Sequence, residues 1–437
     1  MKIALVGIGY VGLVSAVGFA EMGNDVLCLD RHSEKIKKLQ GGMSTIYEPG
    51  LTDLLKRNIK EGRLHFTTNP RLAIEFGDVI TVAVGTPEDK DGRADLSSVW
   101  AIGQQIAKYL KKPAVILMKS TVPVGTIYKL RTLIRKSMGK RKMNFEIVSN
   151  PEFLREGAAV KDFLNPDRVV VGVENEHAKK LMQQLYQTTT RAERPLYITD
   201  IRSAELIKYA SNCFLATKIS FINEIANYCE HVGANIQEVA KGIGLDTRIG
   251  SRFLFAGVGY GGSCFPKDVS ALIHAGEDVG NRFKILEAVK AVNENQRKII
   301  LEKIYKFIPH ISNAIIAIWG LSFKPRTGDM REAPSLTVID HLLAEGAQVK
   351  LFDPVAMPEA KHILKPSKQI RYSKTPYEAI RDADALVILT EWDEFRLSDF
   401  ARMKKLMKSR IIIDGRNIFN PKEMHILKFR YTSIGRP

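Results

Sequence analysis

Short apolar runs alternate with longer amphipathic segments along most of the chain. The run Lys2–Val6 predicts a β-strand, and after a glycine-rich turn the segment Val11–Met22 predicts a helix. A second strand, Asp25–Leu29, follows directly. The order of strand, helix and strand is typical of a parallel βαβ unit.

The same alternation continues and then begins anew towards the C-terminal end. Further strands are predicted at Asp78–Val84, Ala114–Met118, Phe145–Val148 and Val169–Val173, and again at Ala314–Trp319, Gln348–Phe352, Ala385–Leu389 and Arg410–Ile413. Two long helical patterns, Ser203–His231 and Ile285–Phe307, separate the two sets. The predicted fold class is α/β, with two Rossmann-like doubly wound domains joined by a central long-helix region. The predicted divisions are residues 1–200, 201–300 and 301–437.

The composition is that of a folded chain with a basic surplus. Among 437 residues, 65 Lys and Arg face 48 Asp and Glu, a net charge of +17, and 45% of the residues are hydrophobic. Neither disorder nor a fibre fits this usage. The surplus favours an anionic partner, which can be nucleic acid, lipid headgroups or a phosphorylated small molecule. Because the cations are spread without a basic tract or a known nucleic-acid motif, we expect no nucleic-acid binding.

The sequence gives only weak indications of a signal peptide, a membrane span or a metal site. The uncharged run Ile3–Ala20 resembles a signal peptide, but glycines interrupt it and it fits the strand, turn and helix better. No other stretch approaches the ~18 apolar residues of a membrane span. None of the four cysteines forms a Cys-x-x-Cys pair, and no His cluster has metal-ligand spacing. We expect a cytoplasmic protein without a metal site or a membrane partner.

A Gly-x-Gly-x-x-Gly pattern, formed by Gly7, Gly9 and Gly12, lies between the first strand and its helix. The three glycines allow a tight turn, close approach of a diphosphate and close packing of helix on strand. Asp30 ends the second strand, where a carboxylate can accept hydrogen bonds from ribose hydroxyls. The sequence therefore predicts NAD rather than NADP, although the neighbouring Arg31 could accommodate a 2′-phosphate.

Polar loops follow three later strands. The loops Val84–Pro87 and Lys119–Thr126 offer hydroxyls and backbone amides, as cofactor contacts or as ordinary turns. In the segment after the strand ending at Val148, Asn150 is predicted to cap a helix that starts at Pro151. Glu152 and Glu156 would then share one face of its first turn, either solvated or as proton-transfer groups.

Lys208 and Asn212 stand four residues apart on the predicted long helix. Such polar residues are usually solvated. Here the surrounding apolar side chains Tyr209, Phe214, Phe221 and Ile222 predict a helix covered on most sides. Lys208 and Asn212 would then lie either in a site or without hydrogen-bond partners.

The segment Gly257–Asp268 is the sharpest local signal. Its glycines allow backbone to approach a ligand, and Pro266 starts a helix. Cys264 would lie at the N-terminus of that helix beside Lys267, and both features favour the thiolate. We therefore predict that Cys264 is a nucleophile and that Asp268, one turn later, holds a water or orients a proton donor. Cys28, Cys213 and Cys229 lie in apolar segments and are predicted to be buried and unreactive.

These motifs together resemble the UDP-glucose/GDP-mannose dehydrogenase family, over essentially the whole chain. They occur in family order: the glycine pattern with Asp30, Val84-Gly85-Thr86-Pro87, Ser120-Thr121-Val122-Pro123, Asn150-Pro151-Glu152-Phe153-Leu154, Gly261-Gly262-Ser263-Cys264-Phe265-Pro266-Lys267-Asp268 and Phe323-Lys324-Pro325. Tyr47-Glu48-Pro49-Gly50-Leu51 and the cysteine motif lean towards the UDP-glucose branch.

The resemblance implies that two NAD oxidise the primary alcohol of UDP-glucose to the carboxylate of UDP-glucuronate, a polysaccharide precursor. Cys264 would form a thiohemiacetal and then a thioester, which water hydrolyses. Lys208 and Asn212 would stabilise the developing alkoxide. Asp268, Thr121, Glu152 and Glu156 would position waters or move protons, with the base of each step left open.

The resemblance also implies binding residues. The residues matching cofactor contacts are Gly7, Gly9, Tyr10, Val11, Gly12, Asp30, Lys35, Thr86, Thr121, Glu156, Lys267 and Arg331. Those matching nucleotide-sugar contacts are Glu152, Phe153, Leu154, Arg155, Glu156, Lys208, Asn212, Arg248, Phe253, Leu254, Phe255, Ala256, Gly257, Gly261, Lys324 and Arg416.

By the same resemblance, residues 1–200 would bind NAD, residues 201–300 would contribute the active site and a homodimer contact, and residues 301–437 would bind the UDP-sugar. Arg248 would lie near the sugar or diphosphate, either of its own chain or across a dimer interface. Three alternatives remain open at this point: the same chemistry on GDP-mannose or another nucleotide sugar, a non-catalytic nucleotide-sugar-binding protein, and a basic nucleic-acid-binding protein on a Rossmann scaffold.

Overall fold

The computed structural model describes residues 1–190 and 195–437. These fall into two compact units, Met1–Ser211 and Asn212–Pro437. Each unit is built around one twisted sheet, and the long helix α9, Ile201–Val232, runs through the boundary between them. The predicted α/β class with two Rossmann-like sheets and a long-helix region is confirmed.

The first unit contains eight strands in the order β3-β2-β1-β4-β5-β6-β7-β8. Its elements up to α9 are β1 Lys2–Val6, α1 Tyr10–Glu21, β2 Asp25–Leu29, α2 Ser33–Gln40, α3 Leu51–Lys60, β3 Leu64–Thr67, α4 Pro70–Phe76, β4 Val79–Val82, α5 Ser97–Tyr109, β5 Ala114–Met118, α6 Thr126–Met138, β6 Phe145–Ser149, α7 Ala159–Leu164, β7 Val169–Gly172, α8 Glu176–Tyr186 and β8 Leu196–Thr199. Strands β1 to β6 are parallel, whereas β7 pairs with β6 antiparallel, so the sheet reverses direction there.

The second unit contains six parallel strands in the order β11-β10-β9-β12-β13-β14. Its elements after α9 are α10 Ile236–Gly244, α11 Phe265–Glu277, α12 Lys284–Phe307, β9 Ile315–Trp319, α13 Pro334–Ala344, β10 Gln348–Phe352, α14 Met357–Ile363, β11 Ile370–Tyr372, α15 Pro376–Ile380, β12 Ala385–Ile388, α16 Asp393–Arg396, α17 Phe400–Leu406, β13 Ile411–Asp414, α18 Pro421–Ile426 and β14 Arg430–Ser433.

Both sheets are buried on both faces, which is why their strands read as continuous apolar runs. In β1, Ile3 and Leu5 pack into one core while Ala4 and Val6 pack into another on the opposite face. In β9, Ile316 and Ile318 likewise face one core and Ala317 and Trp319 the other. Helices therefore cover each sheet from both sides and leave the strand ends available for ligands.

One local prediction is wrong. Pro151 does not start a helix, because the Asn150 side chain is used elsewhere: its amide donates to Val170 O at 2.8 Å, and its oxygen accepts from Lys119 Nζ at 3.2 Å. The chain after Asn150 is irregular and α7 begins only at Ala159. Helix α9 is covered on most sides, as predicted, but Phe214 and Phe221 are not among its buried residues.

The exposed side of α9 is apolar. Phe214 and Phe221 are 66% and 50% exposed, and Tyr228, seven residues further on, is exposed as well. Tyr209 and Ile222 on the same helix are buried, as predicted. In the part of the chain that the structure describes, no helix is both long and apolar enough to cross a bilayer.

Candidate functional site

The glycine-rich turn after β1 has the backbone that a diphosphate-binding turn requires. Gly7 adopts a φ of +90°, and its N–H donates to Leu29 O at 2.9 Å. A Cβ at Gly12 would lie 1.8 Å from Gly7 O, so only glycine lets α1 pack on the turn. A Cβ at Gly9 would meet nothing within 4 Å, so the backbone there is open to a ligand. Gly7 and Gly12 thus have the turn and packing roles that the sequence predicted, and Gly9 leaves the space that the predicted diphosphate would need.

Asp30 lies at the end of β2 and takes part in this turn. Its carboxylate accepts hydrogen bonds from Ile8 N at 3.2 Å, His32 N at 3.1 Å and Lys35 Nζ at 3.0 Å. Burial acts to raise its pKa, but these donors prevail and hold it below the ordinary value. A cavity of about 370 Å³ opens beside it, lined by Gly7, Gly9, Asp30, Arg31, Lys35 and Gly85 among others. This turn, carboxylate and cavity fit the diphosphate and ribose of NAD.

Tyr10 and Val11 begin α1 rather than line this cavity. The Tyr10 hydroxyl donates to the Glu48 carboxylate and accepts a hydrogen bond from Gly157 N at 3.1 Å. Glu48 also accepts from Gly157 N at 2.7 Å and Ala159 N at 2.8 Å. The glycine-rich turn is thereby tied to the segment that carries Glu156.

The two polar loops at the ends of β4 and β5 meet, as predicted for the same edge of a sheet. The Thr86 hydroxyl donates to Thr121 O at 2.9 Å, and the Ser120 hydroxyl donates to Val84 O at 2.7 Å. Thr86 is buried and Thr121 is partly exposed. These bonds fix the backbone that carries Thr121.

Glu152 pairs with Lys208 rather than with Glu156. Lys208 Nζ lies 3.1 Å from Glu152 Oε1, and both side chains are almost fully buried. The other Glu152 oxygen accepts from Leu154 N at 2.6 Å. Because no helical turn forms here, the shared helix face predicted for Glu152 and Glu156 is wrong. The buried ammonium of Lys208 is the strongest candidate in this unit for stabilising an anion.

Of the residues that follow Glu152 in the sequence, Phe153 lies in this site and Arg155 lies at the surface. The Phe153 ring lies 3.8 Å from the Arg168 guanidinium and 5.3 Å from Lys208 Nζ. Arg155 is exposed and pairs with Asp162, with Nε 2.9 Å from Oδ2. Phe153 therefore contacts the two cations Arg168 and Lys208, whereas Arg155 pairs with Asp162 of α7.

In the second unit, Cys264 immediately precedes α11 and is partly exposed. The N–H groups and positive dipole end of a helix favour a thiolate there. One turn later, Asp268 is buried; it accepts from Asn212 Nδ2 at 2.7 Å and forms an ion pair with Lys267. Asn212 and Lys267 thus both contact Asp268, which lies one turn after the cysteine.

The remaining cysteines contrast with Cys264. Cys28, Cys213 and Cys229 are all buried, which confirms that prediction. Burial raises the pKa of Cys213 to about 12, with the Asp268 charge adding to the effect. Burial likewise raises the pKa of Cys28 and Cys229. Their thiols are therefore poor nucleophiles at neutral pH.

The glycine segment before Cys264 is packed too closely for side chains. A Cβ at Gly261 would lie 2.1 Å from Glu332 O, and one at Gly262 would lie 2.8 Å from the Phe323 ring. The preceding stretch is held by Gly257, whose N–H donates to Asn223 Oδ1 at 2.8 Å and whose carbonyl accepts from Gln296 Nε2 at 2.8 Å. Within residues 253–257, Leu254 is buried, Phe253 has a φ of +66° and Phe255 is 76% exposed, with Ala256 partly buried.

The Lys and Arg side chains of the second unit that were predicted to bind ligands have different surroundings. Arg416 donates to Leu389 O at 2.8 Å and to Phe323 O at 3.2 Å, and Lys324 Nζ lies 5.4 Å from the Phe323 ring centre. The side chains of Arg331 and Arg248 are exposed and pair with Asp329 and Asp246, respectively. Arg416 and Lys324 therefore meet at Phe323, directly beside Gly262.

Comparison with known proteins identifies the family of this chain. Residues 1–190 match the UDP-glucose/GDP-mannose dehydrogenase family, NAD binding domain; residues 202–295 match its central domain, and residues 317–421 its UDP binding domain. A protein of Bacillus subtilis (strain 168) named UDP-glucose 6-dehydrogenase TuaD is 47% identical over 436 residues, covering 100% of this chain and 93% of that protein. The chain belongs to the UDP-glucose/GDP-mannose dehydrogenase family.

Two further comparisons span the family's full length. A UDP-glucose 6-dehydrogenase of Rhizobium meliloti (strain 1021) is 47% identical, covering 100% of both chains. The solved structure of a UDP-glucose dehydrogenase from the archaeon Pyrobaculum islandicum is 35% identical with a TM-score of 0.92, covering 100% of this chain and 98% of that one. The family, the NAD-dependent enzyme class and the cofactor predicted from the sequence are thereby confirmed.

Several polar residues that hold the sites of this dehydrogenase in place were not predicted from the sequence. Lys119 is buried with its ammonium on Asn150 Oδ1, which also accepts from the Tyr186 hydroxyl. Burial lowers the pKa of Lys119 to about 8, while Glu152 acts to raise it. A lysine directly after an apolar strand was the available signal. The structural roles of Glu48 and Glu205 were not predicted either, because only their contacts reveal them.

Across residues 1–190 and 195–437, no group of three or more His, Cys, Asp and Glu side chains is arranged to hold a metal ion.

Proposed function

We propose that this chain catalyses the NAD-dependent, four-electron oxidation of UDP-glucose to UDP-glucuronate. The observation that carries the proposal is Cys264, partly exposed at the start of α11 beside the buried Asp268. Full-length relatives that are 47% identical and named UDP-glucose 6-dehydrogenase support the substrate. The overall reaction consumes the alcohol, one water and two NAD⁺ and yields the carboxylate, two NADH and three protons.

The residues proposed to bind NAD surround the turn after β1. The cofactor, when bound, accepts hydride from C6 of the sugar. Gly7, Gly9 and Gly12 expose backbone to its diphosphate, and Asp30 accepts from the ribose hydroxyls. The family-matched contacts Tyr10, Val11, Lys35, Thr86, Thr121, Glu156, Lys267 and Arg331 complete this proposed set.

Lys208 stabilises the alkoxide in the first oxidation, because its ammonium is buried and a buried cation acts strongly on developing negative charge. Asn212, four residues later on α9, assists. The proton released from the alcohol passes to a base, directly or through a water, for which Glu152, Glu156, Thr121 and Asp268 are the candidates.

Cys264 then forms a bond from its sulfur to the aldehyde carbon, giving a thiohemiacetal. Loss of a second hydride from this carbon leaves a thioester, since a tetrahedral carbon bearing an oxyanion is a good hydride donor. Water attacks the thioester, the C–S bond breaks, and the thiol and the carboxylate are released. Asp268, held by Asn212 and Lys267, positions that water.

The nucleotide-sugar contacts belong to the same proposal. They are Glu152, Phe153, Leu154, Arg155, Glu156, Lys208, Asn212, Arg248, Phe253, Leu254, Phe255, Ala256, Gly257, Gly261, Lys324 and Arg416. We divide the chain into residues 1–200 for NAD, 201–300 for the central region and 301–437 for the UDP-sugar. The matched family domains, at residues 1–190, 202–295 and 317–421, support this division.

We further propose a homodimer in the cytoplasm. The exposed apolar side chains of α9, Phe214, Phe221 and Tyr228, are spaced seven residues apart and form a stripe suited to a second copy. A nucleophilic thiol has to stay reduced, which is the condition of the cytoplasm rather than of oxidising compartments.

The deciding experiment measures NADH formed per sugar consumed across a panel of UDP- and GDP-sugars. We expect about two NADH per UDP-glucose, because the thioester is reached only after a second hydride transfer. A ratio near one would contradict the covalent mechanism. Turnover of a GDP-sugar in place of UDP-glucose would move the substrate to the GDP-mannose alternative, and no turnover with any sugar would leave only a binding protein.

A further inference from the structure

Helix α6 begins without a side-chain cap of its own. Its N-cap residue is Gly125, which has a φ of +88° and no side chain to accept the free N–H groups of the first turn. A carboxylate from α9 takes that role. Gly125 N donates to Glu205 Oε2 at 2.6 Å, and Ile127 N donates to Glu205 Oε1 at 3.2 Å. Both carboxylate oxygens of Glu205 are therefore engaged at the start of α6.

Glu205 is deeply buried, at 3% exposure. Burial raises its pKa to about 7, although the hydrogen bonds from Gly125 and Ile127 and the charge of Arg202 act to lower it. Its charge therefore changes within the neutral range.

The ionisable groups around Glu205 come from three elements. On α9, Arg202 precedes it and Lys208 follows it by one turn. The Arg202 guanidinium lies 5.1 Å from the ring centre of Tyr128 on α6, and that of Arg131, also on α6, lies 5.4 Å from the same ring. Lys119 stands at the start of the loop that leads into α6, where Asn150 accepts from it. Of these groups, Arg202 is the one whose charge acts on Glu205.

The segment that Glu205 holds is the one that carries Thr121. The loop Lys119–Gly125 runs from the end of β5 into the start of α6. Its first half is fixed by Ser120 and by the bond from Thr86 to Thr121 O, and its far end is fixed by Glu205. Three residues after Glu205 on the same helix comes Lys208, bound to Glu152. One turn of α9 thus anchors both the Thr121 loop and the cation.

We propose that Glu205 is a positioning residue that, in its ionised form, clamps the Lys119–Gly125 loop and so sets Thr121 against Lys208. This inference rests on the proposed function. The ionised carboxylate accepts from both N–H groups and compensates the positive end of the helix, whereas the protonated acid has one oxygen that must donate. Above pH 7 both oxygens of Glu205 can therefore accept from the start of α6, whereas below pH 7 one of them carries a proton.

The test compares Glu205→Gln with Glu378→Gln. Glutamine keeps the size of the side chain but turns one acceptor into a donor that faces an N–H. Glu378 is the matched control, because it also accepts a backbone N–H, that of Lys374 at 2.8 Å, in the other unit. We expect Glu205→Gln to lower kcat between about tenfold and a hundredfold at pH 8, since small misplacements of reacting groups cost that much. The rise of kcat between pH 6 and 8 should also be lost. Glu378→Gln should keep both the rate and the profile.

Stability separates this role from a merely structural one. A carboxyl whose pKa is higher in the folded protein than in the unfolded chain contributes stability below the unfolded pKa, and that contribution is lost as the pH rises through about 7. Glutamine does not suffer that loss, so the melting temperature of Glu205→Gln relative to the unsubstituted protein should rise from pH 5 to pH 8. Activity would thus fall where relative stability rises. A variant that loses both together, or that keeps the parent rate and pH profile, would overturn the proposal.

Hydrogen exchange in the free protein gives a readout that needs no substrate. At pH 8, the protection factors of peptides covering residues 120–128 should fall about tenfold in Glu205→Gln and stay unchanged in Glu378→Gln. Unchanged protection in Glu205→Gln would refute the clamp even if UDP-glucose is the substrate. Lost protection in a protein that fails to oxidise UDP-glucose would refute the proposed function while leaving the clamp.

Discussion

The two sheets begin in the same way and differ at one carboxylate. In the first, Gly7 follows β1 with a φ of +90° and donates to Leu29 O at 2.9 Å; in the second, Gly320 follows β9 with a φ of +89° and donates to Phe352 O at 2.9 Å. Each neighbouring strand is then followed by an aspartate, Asp30 after β2 and Asp353 after β10. The local backbone is therefore repeated.

The surroundings of the two aspartates are opposite. Asp30 is partly exposed and lines a cavity. Asp353 is 1% exposed, and its carboxylate accepts from Leu321 N, Ser322 N, Ser322 Oγ, Val355 N, Ala356 N and Trp392 Nε1, at distances between 2.8 and 3.1 Å. The acceptor sites of the Asp353 carboxylate are thus occupied by groups of its own unit, whereas the Asp30 carboxylate remains accessible to a ribose hydroxyl. The comparison teaches that two turns with the same backbone can differ in ligand access, because the acid at the strand end is accessible in one and buried in the other.

The largest expected effect is on turnover and comes from substituting Cys264 in the second unit. Cys264→Ser should lower turnover by about 10⁴-fold or more, because a serine hydroxyl is a far weaker nucleophile than a thiolate. Steady-state NADH formation measures this. NADH binding, followed by fluorescence titration, should remain as in the parent protein.

The control for that variant is Cys229→Ser, which removes a buried thiol of the same unit. Its turnover should stay close to that of the parent protein. Full activity in Cys264→Ser would end the covalent mechanism.

The next effect concerns stability and tests the role given to Asp353. Asp353→Ala leaves several buried N–H groups without an acceptor, and we expect it to lower the free energy of unfolding by about 3–5 kcal/mol. Urea unfolding of the full chain, followed by circular dichroism, measures the loss. A change within experimental error would mean that Asp353 is not the structural counterpart of Asp30 that the geometry indicates.

The smallest expected effect on stability belongs to Asp30→Ala. Its partner Lys35 can reach water, so the cost in unfolding free energy should stay below about 1 kcal/mol. NAD affinity should instead weaken between about tenfold and a hundredfold, because hydrogen bonds to the ribose are lost. The preference for NAD over NADP should also shrink. Unchanged affinity for NAD would place the adenosine elsewhere.

Regular elements were largely predictable from the sequence. The strands Lys2–Val6, Asp25–Leu29, Ala114–Met118 and Gln348–Phe352 have the predicted bounds, because each is a β-rich run buried on both faces. The strands that were missed, Leu64–Thr67, Leu196–Thr199, Ile370–Tyr372 and Arg430–Ser433, all lie at or next to sheet edges. There polar residues are tolerated, and the apolar signal fades.

Side-chain partners were harder to predict. Asn150 followed by proline matches a helix start, yet its amide was needed to join β7, Lys119 and Tyr186. The spacing of Glu152 and Glu156 suggested a pair, whereas Glu152 paired with Lys208, more than fifty positions later. Cys264 was identifiable, because its glycine-rich approach and its helix start are local.

The sequence by itself determined the order of strands and helices, the open glycine turn and the cysteine at the start of a helix, since these depend on backbone preferences of neighbouring residues. Only the tertiary structure decided which carboxylates are hydrogen-bonded within the fold and which remain accessible to a ligand. Asp30 and Asp353 look alike in the sequence, each directly after a buried strand. Their difference arises because hydrogen-bond partners reach Asp353 from distant segments such as Trp392, and no local pattern records which distant groups will fill a carboxylate's acceptor sites.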